Sequence, residues 1–217
     1  MNTKEKIIME SLQFFLIDGY ENTSLRDVAE KVNIKKSSIY YHFKNKEDLF
    51  VNCINYFLDS ITHHIKKSLK NIENPEKKLD ALITSILEFN TNLAVRFDTK
   101  YSKPINHHQM LKYATKNFIF TREKIDKYYD FLKSEIIDIV DTGKRKNLIK
   151  NTIDTDILTF QILSTIEGYM SLSEIYSSIT GTKIRKQLRK SLWKTISKPK
   201  TKNKSNSFSK TILGARW

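Results

Sequence analysis

Apolar residues recur every three or four positions along most of this chain, the period of helices buried on one side. Ile7, Ile8, Leu12, Phe15 and Leu16 make one such face over residues 3–18. Gly19 follows where a left-handed residue ends a helix, and Tyr20 can fold back onto that face. A shorter stripe comes next, Leu25, Val28, Ala29 and Val32, opened by Ser24 with Asp27 in a capping-box pattern. Asn33 then stands where the chain must turn, and Asn tolerates the left-handed conformation that such a turn needs. Ile39 and Phe43, four apart, anchor a third helix over residues 36–43.

Asn45, with Asp48 as capping partner, begins a long helix over residues 45–71, about 40 Å at 1.5 Å per residue. Glu73-Asn74-Pro75 breaks it, and Pro75 can start the next helix, to residue 97. After a loop at 100–104, helices are expected over 106–118, 121–141, 156–178 and 182–197. Asp154 or Thr155 would cap the third of these, and Gly181 separates it from the last. There is no internal repeat and no heptad run long enough for a coiled coil. The pattern predicts an all-α fold.

The polar positions between residues 23 and 46 change the picture. Five lysines and no acid lie between Lys31 and Lys46, and the third helix carries Lys36, Ser37, Tyr40, Tyr41 and His42, with Lys35 just before it. A short helix crowded with such groups suits a major groove walled by phosphates, which makes the segment a helix-turn-helix reader. Lys36 and Ser37 are the candidates for base contact, because Lys reaches guanine acceptors and Ser serves several base edges. Thr23 and Ser24 offer hydroxyl and backbone donors to phosphate at the preceding helix start. Lys46 stands at the start of the long helix, where its ammonium adds to a positive end. Tyr40 and Tyr41 cannot both face inward. His42 has two readings, a backbone contact and a structural hydrogen bond. Arg26 reads as a solvated surface charge.

Residues 7–32 (IIMESLQFFLIDGYENTSLRDVAEKV) and the run from Ser38 to Phe50 (S-IYYHF-KNKEDLF) together resemble the N-terminal domain of the tetracycline-repressor (TetR) family of bacterial transcription regulators. Two positions depart from it: Lys35 replaces a small capping residue and Ser37 a frequent Gly, so operator preference cannot be copied from a relative. The resemblance implies a phosphate contact from at least one tyrosine hydroxyl of Tyr40 and Tyr41. It also implies a C-terminal domain that binds a small effector and dimerises through its last two long helices. The expected division is a DNA-binding domain at 1–50, a helical effector and dimerisation domain at 51–197, and a basic tail at 198–217.

Charge and composition narrow the function further. Only five Gly and three Pro in 217 residues leave few breaks in the helices. The net charge of +14 is unevenly placed. Residues 1–50 hold eight basic and eight acidic side chains, residues 51–182 eighteen and sixteen, and residues 183–217 twelve and none. The local run at 31–46, rather than the overall charge, therefore carries the DNA argument. The tail reads as disordered, either a solubilising extension or a cationic arm for non-specific phosphate contact. A single cysteine, Cys53, excludes an internal disulfide and argues for a reducing, cytoplasmic compartment, with the residue itself a small apolar helix member. No apolar run approaches a membrane span, and Glu10, Gln13 and Asp18 interrupt any signal-peptide core.

No phosphate cradle or nucleophile–base pattern points to an enzyme, and no cofactor is expected. His63-His64 and His107-His108 have no Cys or carboxylate at ligand spacing, so no metal is expected. The middle of the chain is dense in aromatics, which suits a lipophilic effector. The expected pocket residues are Phe89, Tyr101, His107, Phe118 and Tyr128. Ile157, Phe160, Ile162, Leu163, Ile166, Tyr169, Met170 and Leu172 are too apolar for a lone surface helix, and Gly168 would admit a partner helix. Ile184, Leu188, Leu192 and Ile196 form a narrower stripe. Both stripes fit the plan that the resemblance implies, a homodimeric repressor released from a palindromic operator by an apolar or amphipathic effector. The alternatives are a monomer that buries these stripes internally, and a DNA-tethered interaction protein without a small-molecule effector.

Overall fold

A computed structural model describes residues 2–97, 107–179 and 181–199. It is helical, and among the described residues the sole β pairing is an isolated antiparallel bridge between Ile149 and Ser197. The helices are α1 (Thr3–Ile17), α2 (Gly19–Asn22), α3 (Leu25–Val32), α4 (Lys36–His42), α5 (Lys46–Leu69), α6 (Pro75–Arg96), α7 (His107–Asn117), α8 (Arg122–Arg145), α9 (Thr155–Ile175) and α10 (Thr182–Ile196). No helix among the described residues is long and apolar enough to cross a membrane.

The ends are set by local chemistry. The Asn2 side chain accepts from Glu5 N–H while Glu5 reaches back to the Asn2 N–H, closing a capping box on α1. Ser24 accepts from Asp27 N–H at 3.1 Å and Asn45 from Asp48 N–H at 2.8 Å, so α3 and α5 start as expected. Lys35 precedes α4 without a side-chain cap, as its chemistry dictates. Gly19 has φ 80° and Asn33 φ 60°, the two left-handed turns expected in the reader. Asn71 and Asn147 use the same conformation, unanticipated, at the ends of α5 and α8. The four-residue α2 was not expected. α8 also runs to Arg145 instead of 141, because Gly143 lets Ile149 pack directly against it.

One apolar core runs through the molecule. α5, about 36 Å long, carries Leu49, Phe50, Cys53, Ile54, Phe57, Leu58, Ile61, Ile65 and Leu69 inward. It packs on α1 toward the N-terminal end and on α6 and α8 farther along, while α9 lies on α8 and α10 on α6. Cys53 is fully buried, donates to the Ile8 carbonyl at 3.4 Å, and burial pushes its thiol well above the usual range. It is a packing residue.

α9 is apolar on both sides, and the fold covers only one of them. Leu158, Ile162, Ile166, Tyr169 and Met170 face the core, while Phe160 is 71% and Ile175 82% exposed, with Ile157 and Leu172 beside them. A Cβ placed on Gly168 would meet nothing within 4 Å. The α10 stripe differs: Ile196 is buried, and Ile184, Leu188 and Leu192 pack half-buried against this chain's own core.

Candidate DNA interface and effector site

α3 packs on α1 and α4 packs on α3, with the turn at Asn33 between the two short helices. Ile39 and Phe43 are fully buried, so the register of α4 is held by its two apolar anchors. With that face inward, Lys36, Ser37, Tyr40 and Tyr41 point outward, Tyr41 being 87% exposed. Lys35 is exposed and His42 half-buried, its ring against Tyr41 with centroids 5.0 Å apart. Lys31 and Lys44 flank the same surface, both exposed. Arg26 is solvent-exposed and pairs with Glu30 on its own helix.

Two of the expected phosphate contacts look different in place. Thr23 is buried, and its hydroxyl donates to the Gly19 carbonyl at 2.8 Å. That hydroxyl closes the turn before α3 and is not available to a phosphate, which corrects the expectation from sequence; Ser24 remains half-exposed at the helix start. Lys46 lies with its ammonium 4.3 Å from the centre of the Tyr20 ring and 3.4 Å from the Glu21 carbonyl. Burial lowers its pKa. It ties α2 to the first turn of α5 while still sitting at the positive end of that helix.

The expected effector residues separate into two clusters. Phe118 joins Tyr20, Phe50 and Tyr113, with centroid separations from 4.9 to 6.0 Å, and Phe15 completes the group. This is the seam between α1–α2 and the core helices. Tyr113 donates to Glu21 across it at 2.5 Å, and burial and then Glu21 push the phenol up to about 12. A cavity of ≈ 160 Å³ adjoins the seam, lined in part by Gly19, Met110 and Tyr113.

Phe89, His107 and Tyr128 lie elsewhere, His107 and Tyr128 buried and Phe89 half-buried. Phe57 of α5 stands 5.8 Å from Phe89 and 5.9 Å from His107 between ring centroids. His107 is held neutral, its pKa lowered to about 3 by burial and then by His108. Tyr128 is buried and Tyr129 half-buried, and burial followed by the Glu167 charge raises both phenols. Tyr101 lies outside the described residues, as does the tail from residue 200 onward.

No carboxylate stands near His107-His108 in sequence, but Glu167 of α9 reaches them in space, its carboxylate at hydrogen-bond distance from His108 Nε2. Local spacing could not show a partner 59 residues away.

An all-helical chain that sets a lysine-rich helix-turn-helix on one end of a shared helical core has the build of a DNA-binding transcriptional regulator. Residues 7–53 match the family model described as bacterial regulatory proteins, tetR family. The chain is 32% identical over 136 residues to the biofilm operon icaADBC HTH-type negative transcriptional regulator IcaR of Staphylococcus epidermidis, covering 58% of this chain and 69% of that one. The Staphylococcus aureus protein of that name is 33% identical over 98 residues, 45% of this chain, and this chain spans about half of its length, 51%. Among solved structures, AibR in complex with isovaleryl coenzyme A and operator DNA has the same fold, with a TM-score of 0.63 at 18% identity over 90% of this chain and 98% of that one. The chain belongs to the TetR family of transcriptional regulators, and it is not an enzyme.

Proposed function

We propose that this regulator is a repressor that binds a near-palindromic operator as a homodimer and leaves it when a small apolar or amphipathic effector enters the core. The carrying observation is α4, anchored from beneath by Ile39 and Phe43 and presenting Lys36, Ser37, Tyr40 and Tyr41 to solvent. Lys36 and Ser37 read base edges. Tyr40, Tyr41, Lys35, Ser24 and Lys46 hold the phosphates, and His42 supports Tyr41. Residues 1–50 act as the reader and 51–197 as the sensing and dimerising part, although the two share one apolar core. Repression is supported by the negative-regulator name of the Staphylococcus epidermidis relative. An effector is supported by the coenzyme A thioester in the AibR complex.

The second copy packs on the uncovered side of α9, where Ile157, Phe160, Leu172 and Ile175 lie exposed around Gly168. A row of large apolar side chains left in water is a self-association surface. α7 offers a route between sites. Its first residue, His107, lies in the effector region, and Tyr113 two turns on holds Glu21 of the reader. An effector that shifts α7 therefore pulls on α2 directly, and needs differential affinity for the two states to do so.

Selection of bound duplexes from a random pool by the full-length protein tests this reading. An inverted repeat with half-sites about one helical turn apart is expected. Recovery without a consensus, or a 25.5 kDa species in sedimentation at micromolar protein, would overturn the dimeric reader.

A further inference from the structure

His107 and His108 open α7 with ring centroids 4.0 Å apart, and Glu167 approaches them from the middle of α9. One ligand atom from each of the three lies within 4.8 Å of the other two. Tyr129 of α8 lies close enough to Glu167 for that charge to raise its phenol, so a polar group outside the trio borders the carboxylate. His107 is buried and His108 and Glu167 are half-buried, which places the cluster at the edge of the core rather than in open solvent.

We propose that His107, His108 and Glu167 form a three-ligand site for a divalent transition ion, with zinc the best match. Two imidazoles and one carboxylate suit zinc and its neighbours, whereas magnesium prefers an all-oxygen shell. Three protein ligands leave a fourth tetrahedral position for water. Donor atoms around tetrahedral zinc stand about 3.3 Å apart, given bonds of about 2.0–2.1 Å. The widest pair must therefore close by up to about 1.5 Å on binding, while the Glu167 and His108 ligand atoms, now in direct contact, move apart to admit the ion. The Glu167 side chain has the rotatable bonds to supply that movement, and the ion replaces its direct contact with His108. Tyr129 acts as the outer partner that orients a ligating carboxylate. Bound metal would clamp α7 to α9, inside the region assigned to the effector. The inference goes beyond operator release and does not need it: ion binding is measured without DNA, so either reading can fail alone.

Metal-stripped full-length protein is titrated with cobalt(II), followed by visible absorption, and with zinc by calorimetry, with magnesium as the control. One ion per chain is expected, with the intense bands of four-coordinate cobalt and little response to magnesium. His108→Asn and Glu167→Gln, both at half-exposed positions, should each weaken binding at least about tenfold. A His63→Asn/His64→Asn double variant should bind as the original does. Circular dichroism checks that each variant keeps its helices. Should one lose them, the cobalt spectrum of the unaltered protein decides: four-coordinate bands support the site, and weak six-coordinate bands overturn it. Absence of saturable zinc binding at about micromolar levels, or binding that survives both substitutions unchanged, also overturns it.

Discussion

The reading surface on α4 and the buried region around His107 are built in opposite ways. α4 takes its outward groups from one heptapeptide, Lys36–His42, and its orientation from Ile39 and Phe43. The buried region draws on five helices: Phe57 from α5, Phe89 from α6, His107 and His108 from α7, Tyr128 and Tyr129 from α8, and Glu167 from α9. A surface that meets DNA can be specified locally, because its partner is outside and only the anchors must be inside. A site that encloses a small ligand needs walls on every side, and those come from distant parts of a chain.

The sharpest way to break this contrast is at the seam the two regions share. Phe50 is fully buried and meets Phe15 and Tyr20 edge-on, each at 4.9 Å. Phe50→Ala should cost about 3–5 kcal/mol, the usual toll of an emptied aromatic site. Thermal unfolding and operator affinity should fall together; intact affinity in a strongly destabilised protein would show that the reader does not depend on this seam.

A smaller effect is expected from crowding one end of the core. A Cβ on Gly143 would come within 2.5 Å of Ile149 Cδ1 and 2.8 Å of Cγ1. Gly143→Val should therefore lower stability by about 1–3 kcal/mol, while operator affinity per folded molecule stays unchanged, since the strain lies far along α8 from α4. A denaturant midpoint equal to that of the original protein would refute the close approach.

Lys36→Ala reverses that pattern. Its side chain is exposed, so the melting temperature should hold while operator binding weakens by about 1–3 kcal/mol, roughly five- to 150-fold, with relaxed specificity at one base pair. Equal loss on operator and random duplex would demote Lys36 to a phosphate contact.

The smallest change is expected from Tyr113→Phe, which removes the hydroxyl that bonds Glu21 and keeps the ring in its aromatic cluster. About 0.5–1.5 kcal/mol should be lost at most, with operator affinity near that of the original protein but a weaker response to effector. An unaltered effector response would remove α7 from the coupling route.

Much of the fold was legible in residue order because helices announce themselves locally. The Ser24 and Asn45 caps, the left-handed Gly19 and Asn33, and the stripes on α1, α3 and α5 all follow from side chains within four residues of one another. α2 escaped notice because four residues are too few to show a period. The expected effector set was legible only as a list of aromatics, and packing divided it: Phe118 went to the seam, while Phe89 and His107 gathered around Phe57. Thr23 showed the reverse problem. Its hydroxyl is a donor by type, but the Gly19 carbonyl behind it takes that donor inside.

Sequence alone determined the all-helical class, the reader motif and the two inward anchors of α4, since each depends on a spacing of three or four along one helix; that Tyr40 and Tyr41 both face outward was decided by the fold. Tertiary structure decided which side of α9 stays uncovered, that the α10 stripe packs on its own chain, and that Glu167 meets His107 and His108. An apolar or ligating residue type states only what a side chain can do. Its neighbours across the fold decide whether it does so in the core, at a surface or around a ligand.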